Sequence, residues 1–250
     1  FYFIFFLFRE VLGGGGPGPP WADGSDVVHV VPNSRNLPAE FSETRYPVLI
    51  EKLALATDSC GAGLRRGGCG YDKRVRVLDD SKLLSNADRA LLNTYGVNGG
   101  LHGATYGIKV VDEQGAELPV AGMADNIPVE AGSVVHIVTT GGGGWGDPLE
   151  REAEWVRYDV ECGLVSVEAA AADYGVVVTN ENAEPVLEES ATNALRSKMR
   201  GQRGTPQFFD RGPYFEGIKR SNGVSWPDDW QDPDDHAIAA TADGAHKAAS

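Results

Sequence analysis

Three glycine-dense runs punctuate this chain: GGGGPGPP from Gly13 to Pro20, DSCGAGLRRGGCG from Asp58 to Gly70, and GGGGWG from Gly141 to Gly146. Glycine lacks Cβ, so such runs permit tight turns and close approach of one backbone to another. With 32 glycines in 250 residues and aromatic residues spread along most of the length, the chain favours a loop-rich, strand-rich body over a helical bundle. The length suits one large domain or two small ones.

The net charge is −14 and the pI is about 4.7. An acidic surface of this kind repels phosphate backbones and anionic bilayers, which argues against nucleic acid and membrane as partners. The three cysteines, Cys60, Cys69 and Cys162, show no CxxC or other metal-ligand spacing. They read as reduced thiols of a cytoplasmic protein. The opening FYFIFFLF, Phe1 to Phe8, is too short to span a bilayer, which takes about 20 residues. It lacks the basic flank and small-residue cleavage site of a signal peptide. A buried strand is expected there, with further chain upstream.

Strands are expected around Val27 to Val31, over Glu51 to Ala56, over Lys73 to Leu78, at Ile108 to Val111 and at Val134 to Val138. KRVRVL alternates, with Val75 and Val77 on one face and Arg74, Arg76 and Leu78 on the other. A helical block follows. Asp147 is a candidate N-cap, Pro148 sits at the first helical position, and a helix would run to Cys162 and stop at Gly163. Ser166 opens a second helix ending near Gly175, a strand covers Val176 to Thr179, and a third helix covers Leu187 to Met199. The fold class is mixed α/β, a strand-rich core with a C-terminal helical segment. Residues 1–200 form the body, and residues 201–250 an extended acidic tail that wraps a neighbour.

Several constellations invite a chemical reading. TTGGGGWGDP satisfies G-x-G-x-x-G after a strand and before a helix, with Asp159 and Glu161 near the distance of a ribose contact. Poly-glycine matches that pattern by default, and a tight backbone crossing beside an active-site wall competes with it. In the 58–70 run, Arg65 and Arg66 suit an anion, or they lie on the surface of a plain glycine turn. PNSRNLPAE gathers Asn33, Arg35, Asn36 and Glu40 in one loop, as a site or as a surface turn. The five histidines lack ligand spacing, and His29 and His102, beside glycine-rich loops, are the better two. The DPDD run at Asp232 to Asp235 lacks the spacing and glycine of a calcium loop.

Four stretches, in order, resemble the hydantoinase B/oxoprolinase family. They are VLGGGGPGPPWADGSDVVHVVPNSRNLPAE (Val11 to Glu40), RYPVLIEKLALATDSCGAGLRRGGCGYDKRVRVL (Arg45 to Leu78), VHIVTTGGGGWGDPLERE (Val135 to Glu152) and GLVSVEAAAADYGVVV (Gly163 to Val178). Leu37 stands where the family pattern has Thr, and Cys60 where it has Gly. The segment GTPQFFDRGPYFEGIKR reads as a subgroup feature of unassigned type.

The resemblance implies the C-terminal portion of a subunit of an ATP-dependent cyclic amidohydrolase that opens hydantoins or 5-oxoproline. An ATP-binding partner of the hydantoinase A type phosphorylates the substrate carbonyl oxygen. A divalent metal is implied in the upstream region, so no metal ligand is carried onto these residues and no cofactor is expected in this stretch itself. The alternatives are a subunit of an ATP-dependent acetone or acetophenone carboxylase, and a non-catalytic assembly fragment. By itself the chain is expected to be inactive. Asn33, Arg35, Asn36, Glu40, Asp58, Arg65, Arg66 and Asp147 are the expected lining of a substrate cavity or subunit interface.

Overall fold

The computed structural model describes residues 7–29, 35–181, 184–215 and 217. In chain order the elements are α1 (Ala39–Arg45), β1 (Val48–Leu55), β2 (Tyr71–Val77), β3 (Ser81–Asn86), β4 (Gly96–Val97), β5 (Gly107–Val111), β6 (Glu117–Val120), β7 (Met123–Val129) and β8 (Val134–Val138). There follow α2 (Ala153–Glu161), α3 (Val167–Tyr174), β9 (Val178–Glu181), β10 (Glu184–Leu187), α4 (Glu189–Gln202) and β11 (Phe209–Asp210).

The main sheet has the order β1-β2-β8-β5-β6, and every neighbouring pair is antiparallel. Alternation along β2 works as expected: Val75 and Val77 are buried, Arg74 is exposed and Arg76 half-buried. Lys73 shares the inward face and is 3% exposed, paired there with Glu10. Val77, Ile108, Val110, Val129 and Val135 form one apolar core, so the two-stranded β3–β7 sheet supplies Val129 to the main sheet's inner face. A second core joins Ala62 to Val156, Val165, Ala170, Tyr174, Val176 and Val178. It binds α2, α3 and β9 to the glycine-rich region.

That region forms a layer of its own. The 13–18, 61–70, 96–103 and 139–146 stretches run beside one another and exchange backbone hydrogen bonds. Gly15 donates to Thr140 at 2.7 Å, Gly68 to Gly16 at 2.8 Å, Gly142 to Gly68 at 2.9 Å, Gly61 to Gly142 at 2.8 Å and Gly144 to Leu101 at 2.9 Å. Buried amides and carbonyls must be paired, and here they pair without side chains between them. A Cβ on Gly142 would lie 1.8 Å from the Gly16 carbonyl oxygen, and one on Gly15 1.8 Å from that of Gly68. No other residue fits either position.

Some expectations are corrected. Asp147 does cap a turn, accepting from the Leu149 amide at 2.8 Å, but Pro148–Glu150 is a 3-10 turn. Arg151 is extended, with φ −65° and ψ 135°, so the expected single helix is split and α2 starts afresh at Ala153. The buried guanidinium of Arg151 accounts for the break, because it turns inward to Asp23 and Asp159. The polar loop ends at Pro38 and Glu40 lies in the first turn of α1, whose start is held by the Ser42 hydroxyl and amide, each 3.0 Å from the Pro38 carbonyl. β3, β6, β7 and the hairpin partner β10 were not foreseen, and Leu187 ends β10 instead of opening α4. The second helix is as expected: Ser166 Oγ accepts from Ala169 at 3.0 Å, and Gly175 ends α3 at φ 62°.

Of the aromatic run Phe1–Phe8, only Leu7 and Phe8 are described, and neither is in a strand. Of the expected Val27–Val31 strand, the described part contributes one antiparallel bridge, Gly14 to Val28. The first part of the expected tail folds back: α4 extends to Gln202, Arg203 pairs with Asp147, and β11 joins β4 antiparallel. The rest of the tail lies outside the described residues, apart from a few next to β11. No helix among the described residues is long and apolar enough to cross a membrane.

Candidate functional site

The glycine layer carries two polar clusters, one closed and one open. The closed cluster is built around Arg66 and Arg151, 5% and 2% exposed. Arg151 donates to Asp23 through both terminal nitrogens, at 2.7 and 2.8 Å, and to Asp159 at 2.8 Å. Arg66 lies 3.3 Å from Asp26 and 3.4 Å from Asp159, and its amide donates to Asp23 at 2.8 Å. Burial would raise Asp23, but hydrogen bonds from Arg151 and the Arg66 amide bring its carboxyl below the ordinary value. Burial drives Asp159 upward despite both guanidiniums. The Arg151 contact at 2.8 Å fits the ionised form. Burial would weaken the charge on Arg66, yet Cys60, Asp159, Cys69 and Asp26 together hold it protonated.

This geometry revises two expectations. Arg66 is neither an open anion receptor nor a surface residue, because its charge is already matched inside. Asp159 belongs to this network and not to a ribose site, while Glu161 pairs with Arg157 at 2.9 Å. The glycine fingerprint is likewise occupied by protein. Gly142, Gly144 and Gly146 amides donate to Gly68, Leu101 and Val97, each at 2.9 Å. A dinucleotide site needs such amides aimed at a pyrophosphate and a parallel βαβ unit. The tight backbone crossing is what the structure has.

The open cluster is formed by His102, Asp210, Asp173 and Asp58. His102 sits where the glycine layer leaves β4, and Asp210 is the last residue of β11. The His102 Nδ1 and Asp210 Oδ2 are 2.7 Å apart, and the His102 amide donates to the same oxygen at 2.9 Å. Gly212 donates to the other Asp210 oxygen at 3.0 Å. The hydrogen bond to Asp210 raises His102 above its ordinary value against the effect of burial, and Asp173 adds to the rise. Burial would raise Asp210, but His102 holds it below its usual range. Asp173, on α3, is raised by burial and by the charge of Asp58. With Nδ1 fixed by Asp210 and a second carboxylate, Asp173, nearby, the charged form of the His102 ring is favoured.

Asp58 holds φ 60° and is exposed. It pins the turn before α3, accepting from the Ser166 amide at 2.7 Å. The remaining expected residues scatter. Arg65 makes a two-way backbone bridge with Trp145, both bonds 2.9 Å. Asp147 caps the 3-10 turn and binds Arg203 at 2.9 Å. Arg35 and Asn36 border an open pocket with Arg9, Glu10, Val11 and Leu37. Glu40 is exposed on α1, and Asn33 lies outside the described residues. Sequence reasoning singled out His102 only for its glycine neighbours. Its partner Asp210 is 108 residues away, beyond any local signal.

The residues do not fit a metal centre: among those described, no group of three or more His, Cys, Asp or Glu side chains is placed to hold an ion.

Comparison with known proteins completes the picture. The chain is 34% identical over 167 residues to caprolactamase subunit beta of Pseudomonas jessenii, covering 63% of this chain and 27% of that one. Its fold matches the crystal structure of the ATP-dependent caprolactamase of that organism with a TM-score of 0.60 and 26% identity, over 75% of this chain and 33% of that one. It also matches nucleotide-free acetone carboxylase, with a TM-score of 0.62 over 83% of this chain and 34% of that one; at 20% identity this likeness concerns the fold alone. The chain spans about a third or less of the length of the curated relatives it matches, between 11% and 32% for the first three. The profile of the Hydantoinase B/oxoprolinase family matches residues 4–148, more than half of the chain, and the chain therefore belongs to that family.

Proposed function

We propose that this chain is the C-terminal part of a B-type subunit of an ATP-dependent cyclic amidohydrolase. Its ATP-binding partner is of the hydantoinase A type and phosphorylates the carbonyl oxygen of a lactam, hydantoin or 5-oxoproline. The observation that carries the reading is the likeness to caprolactamase subunit beta in sequence and to the caprolactamase structure in fold, at 34% and 26% identity. The physical logic is direct. Resonance deactivates an amide carbonyl toward water, and phosphorylation of its oxygen removes that resonance and supplies a leaving group. A divalent metal, which supplies a nucleophilic water at neutral pH in such chemistry, belongs to residues outside this chain.

Within the chain, His102 is the residue we assign to proton transfer. Asp210 accepts a hydrogen bond from Nδ1–H and leaves Nε2–H for the departing ring nitrogen, which must gain a proton as the C–N bond breaks. The glycine layer acts as a rigid wall that holds His102 in place, since its backbone groups are bound to one another and cannot relax independently.

The test is co-expression of the complete subunit with its ATP-binding partner. ADP release that depends on 5-oxoproline, a hydantoin or a lactam, with ring-opened product, is the expected result. Absence of substrate-dependent ADP release with all three classes removes the reading. Acid-stable label from bicarbonate in the presence of acetone or acetophenone would assign the carboxylase instead. The 250-residue chain alone is expected to open no ring, and turnover by it would contradict the division of labour.

A further inference from the structure

Two of the three cysteines lie side by side within the glycine layer. Cys60 precedes Gly61 and Cys69 follows Gly68, and the backbone clamps these flanks together. The Gly67 amide donates to the Gly61 carbonyl at 2.9 Å, and the Gly70 amide to Ser59 Oγ at 3.0 Å. Both sulfurs face one acceptor: the Leu164 carbonyl oxygen is 4.0 Å from Cys60 Sγ and 3.9 Å from Cys69 Sγ. Arg66 Nη1 stands 3.6 Å from Cys69 Sγ. Cys69 is fully buried and Cys60 half-buried.

Nothing in the proposed chemistry uses either thiol. The close packing of the layer does not call for a side chain at residue 60, where the pattern this stretch resembles has glycine. Arg66 Nη1 beside Cys69 and the Leu164 carbonyl shared by both sulfurs give the pair what a reactive dithiol needs: a cation beside one sulfur and a common acceptor that gathers both.

We propose that Cys60 and Cys69 form a reversible oxidation site, closing to an intramolecular disulfide on reaction with a small hydroperoxide such as hydrogen peroxide. The Cys60 sulfur attacks one peroxide oxygen, the O–O bond breaks, and the leaving hydroxide takes the Cys60 proton to become water. The Cys69 sulfur then attacks the sulfenic sulfur of Cys60. The S–S bond forms, the S–O bond breaks, and the departing hydroxide takes the Cys69 proton. Two thiols are oxidised, one peroxide is reduced, and two waters leave. A thiol reductant reverses the change. In direction the electrostatics favour the second step: the hydrogen bond from Cys60, and then the Arg66 charge, lower the Cys69 thiol against its burial and make its sulfur the better nucleophile toward the sulfenic sulfur. The hydrogen bond to Cys69 and burial raise the Cys60 thiol, so it is the lesser burial of Cys60, and not its ionisation, that lets it meet the peroxide first. The crosslink would tie the loop bearing Asp58 to the start of β2 and draw the Cys69 sulfur from Arg66.

The experiment uses the complete subunit in its complex. It is treated with hydrogen peroxide, quenched with catalase, denatured, alkylated with N-ethylmaleimide and digested with trypsin. Cleavage at Arg65 and Arg66 separates the two cysteines. The expected product is the peptide starting at Leu53 linked to the peptide Gly67–Lys73, lighter than their sum by two hydrogens and lost on treatment with dithiothreitol. The exposed Cys162 serves as the internal control. C60G restores glycine and should abolish the linked peptide while leaving Cys69 alkylated, and C69S should do the same for Cys60. Alkylated Cys60 and Cys69 after a dose that oxidises Cys162 would overturn the proposal, as would a crosslink from Cys162 to either. None of these outcomes depends on catalytic activity, so they stand or fall separately from the amidohydrolase reading.

Discussion

Arg151 grips Asp23 with both terminal guanidinium nitrogens, at 2.7 and 2.8 Å, and so joins positions 128 residues apart. The same side chain reaches Asp159 at 2.8 Å, and its own carbonyl accepts from Arg196 at 2.7 Å. R151A would leave Asp159 buried beside a single guanidinium. Removing one partner of a buried ion pair costs about 3–5 kcal/mol, and a loss of that size in chemical denaturation is expected. R151K should recover only part of it, because an ammonium cannot fork onto a carboxylate. A loss below about 1 kcal/mol in R151A, the range of an exposed pair, would contradict a closed network.

The glycine layer yields a paired test. G142A places a Cβ 1.8 Å from the Gly16 carbonyl oxygen. That contact is backbone to backbone, so two buried stretches must separate, and the variant is expected to be insoluble or to lack a cooperative unfolding transition. G107A is the control, since a Cβ there meets nothing within 4 Å. It should change stability by no more than about 1 kcal/mol, in the stabilising direction. Equal solubility and equal melting temperatures for the two would show that the layer is looser than its hydrogen bonds imply.

The contact between His102 and Asp210 makes tail docking depend on pH. His102 is raised above its ordinary 6.5 by Asp210. Its contribution is therefore complete below about 6.5 and is lost as pH rises through the raised folded value. Asp210 is lowered below 3.8 by His102. Its contribution is present above about 3.9 and is lost as pH falls through the lowered folded value. Amide exchange at residues 208–212, corrected for intrinsic rates, should be slowest between these limits and faster on either side. In D210N the His102 resonances should titrate closer to 6.5. Unchanged exchange across the range would sever the link between the pair and β11.

Proton transfer by His102 predicts a kinetic signature in the intact complex. H102Q should lower kcat by roughly 10²- to 10⁴-fold, with ATP phosphorylation of the substrate preserved in a single turnover. D210N should keep more activity and shift the histidine limb of the pH–rate profile toward lower pH, because the carboxylate that raises His102 is gone. A full-rate H102Q enzyme would return His102 to a purely structural role in holding the tail.

Asp58 combines a left-handed backbone, φ 60°, with a hydrogen bond to the Ser166 amide at 2.7 Å. Asparagine tolerates that backbone and retains an acceptor, whereas alanine does neither. D58N should melt close to the parent protein, and D58A should lose about 1–3 kcal/mol. Equal losses for both would mean that the carboxylate charge, and not its geometry, holds the turn before α3.

Short-range order was legible in the residues themselves. Val75 and Val77 announce the buried face of β2 by alternation, and Ser166 and Gly175 bracket α3 through capping chemistry that acts within one turn. Asp147 also announces its turn, because the carboxylate reaches an amide two residues on. The ordered glycine motifs pointed to the family for the same reason, since each is a contiguous string. What only the tertiary structure decided is where those strings meet. Arg66 reads equally well as a surface or an anion-binding residue until Asp26, 40 residues earlier, and Asp159 are folded against it. His102 acquires Asp210 only because β11 returns to β4 across 108 residues. The glycine runs specify close backbone approach but not its partner: any amide can donate to any carbonyl, and selection among them comes from packing the whole layer at once.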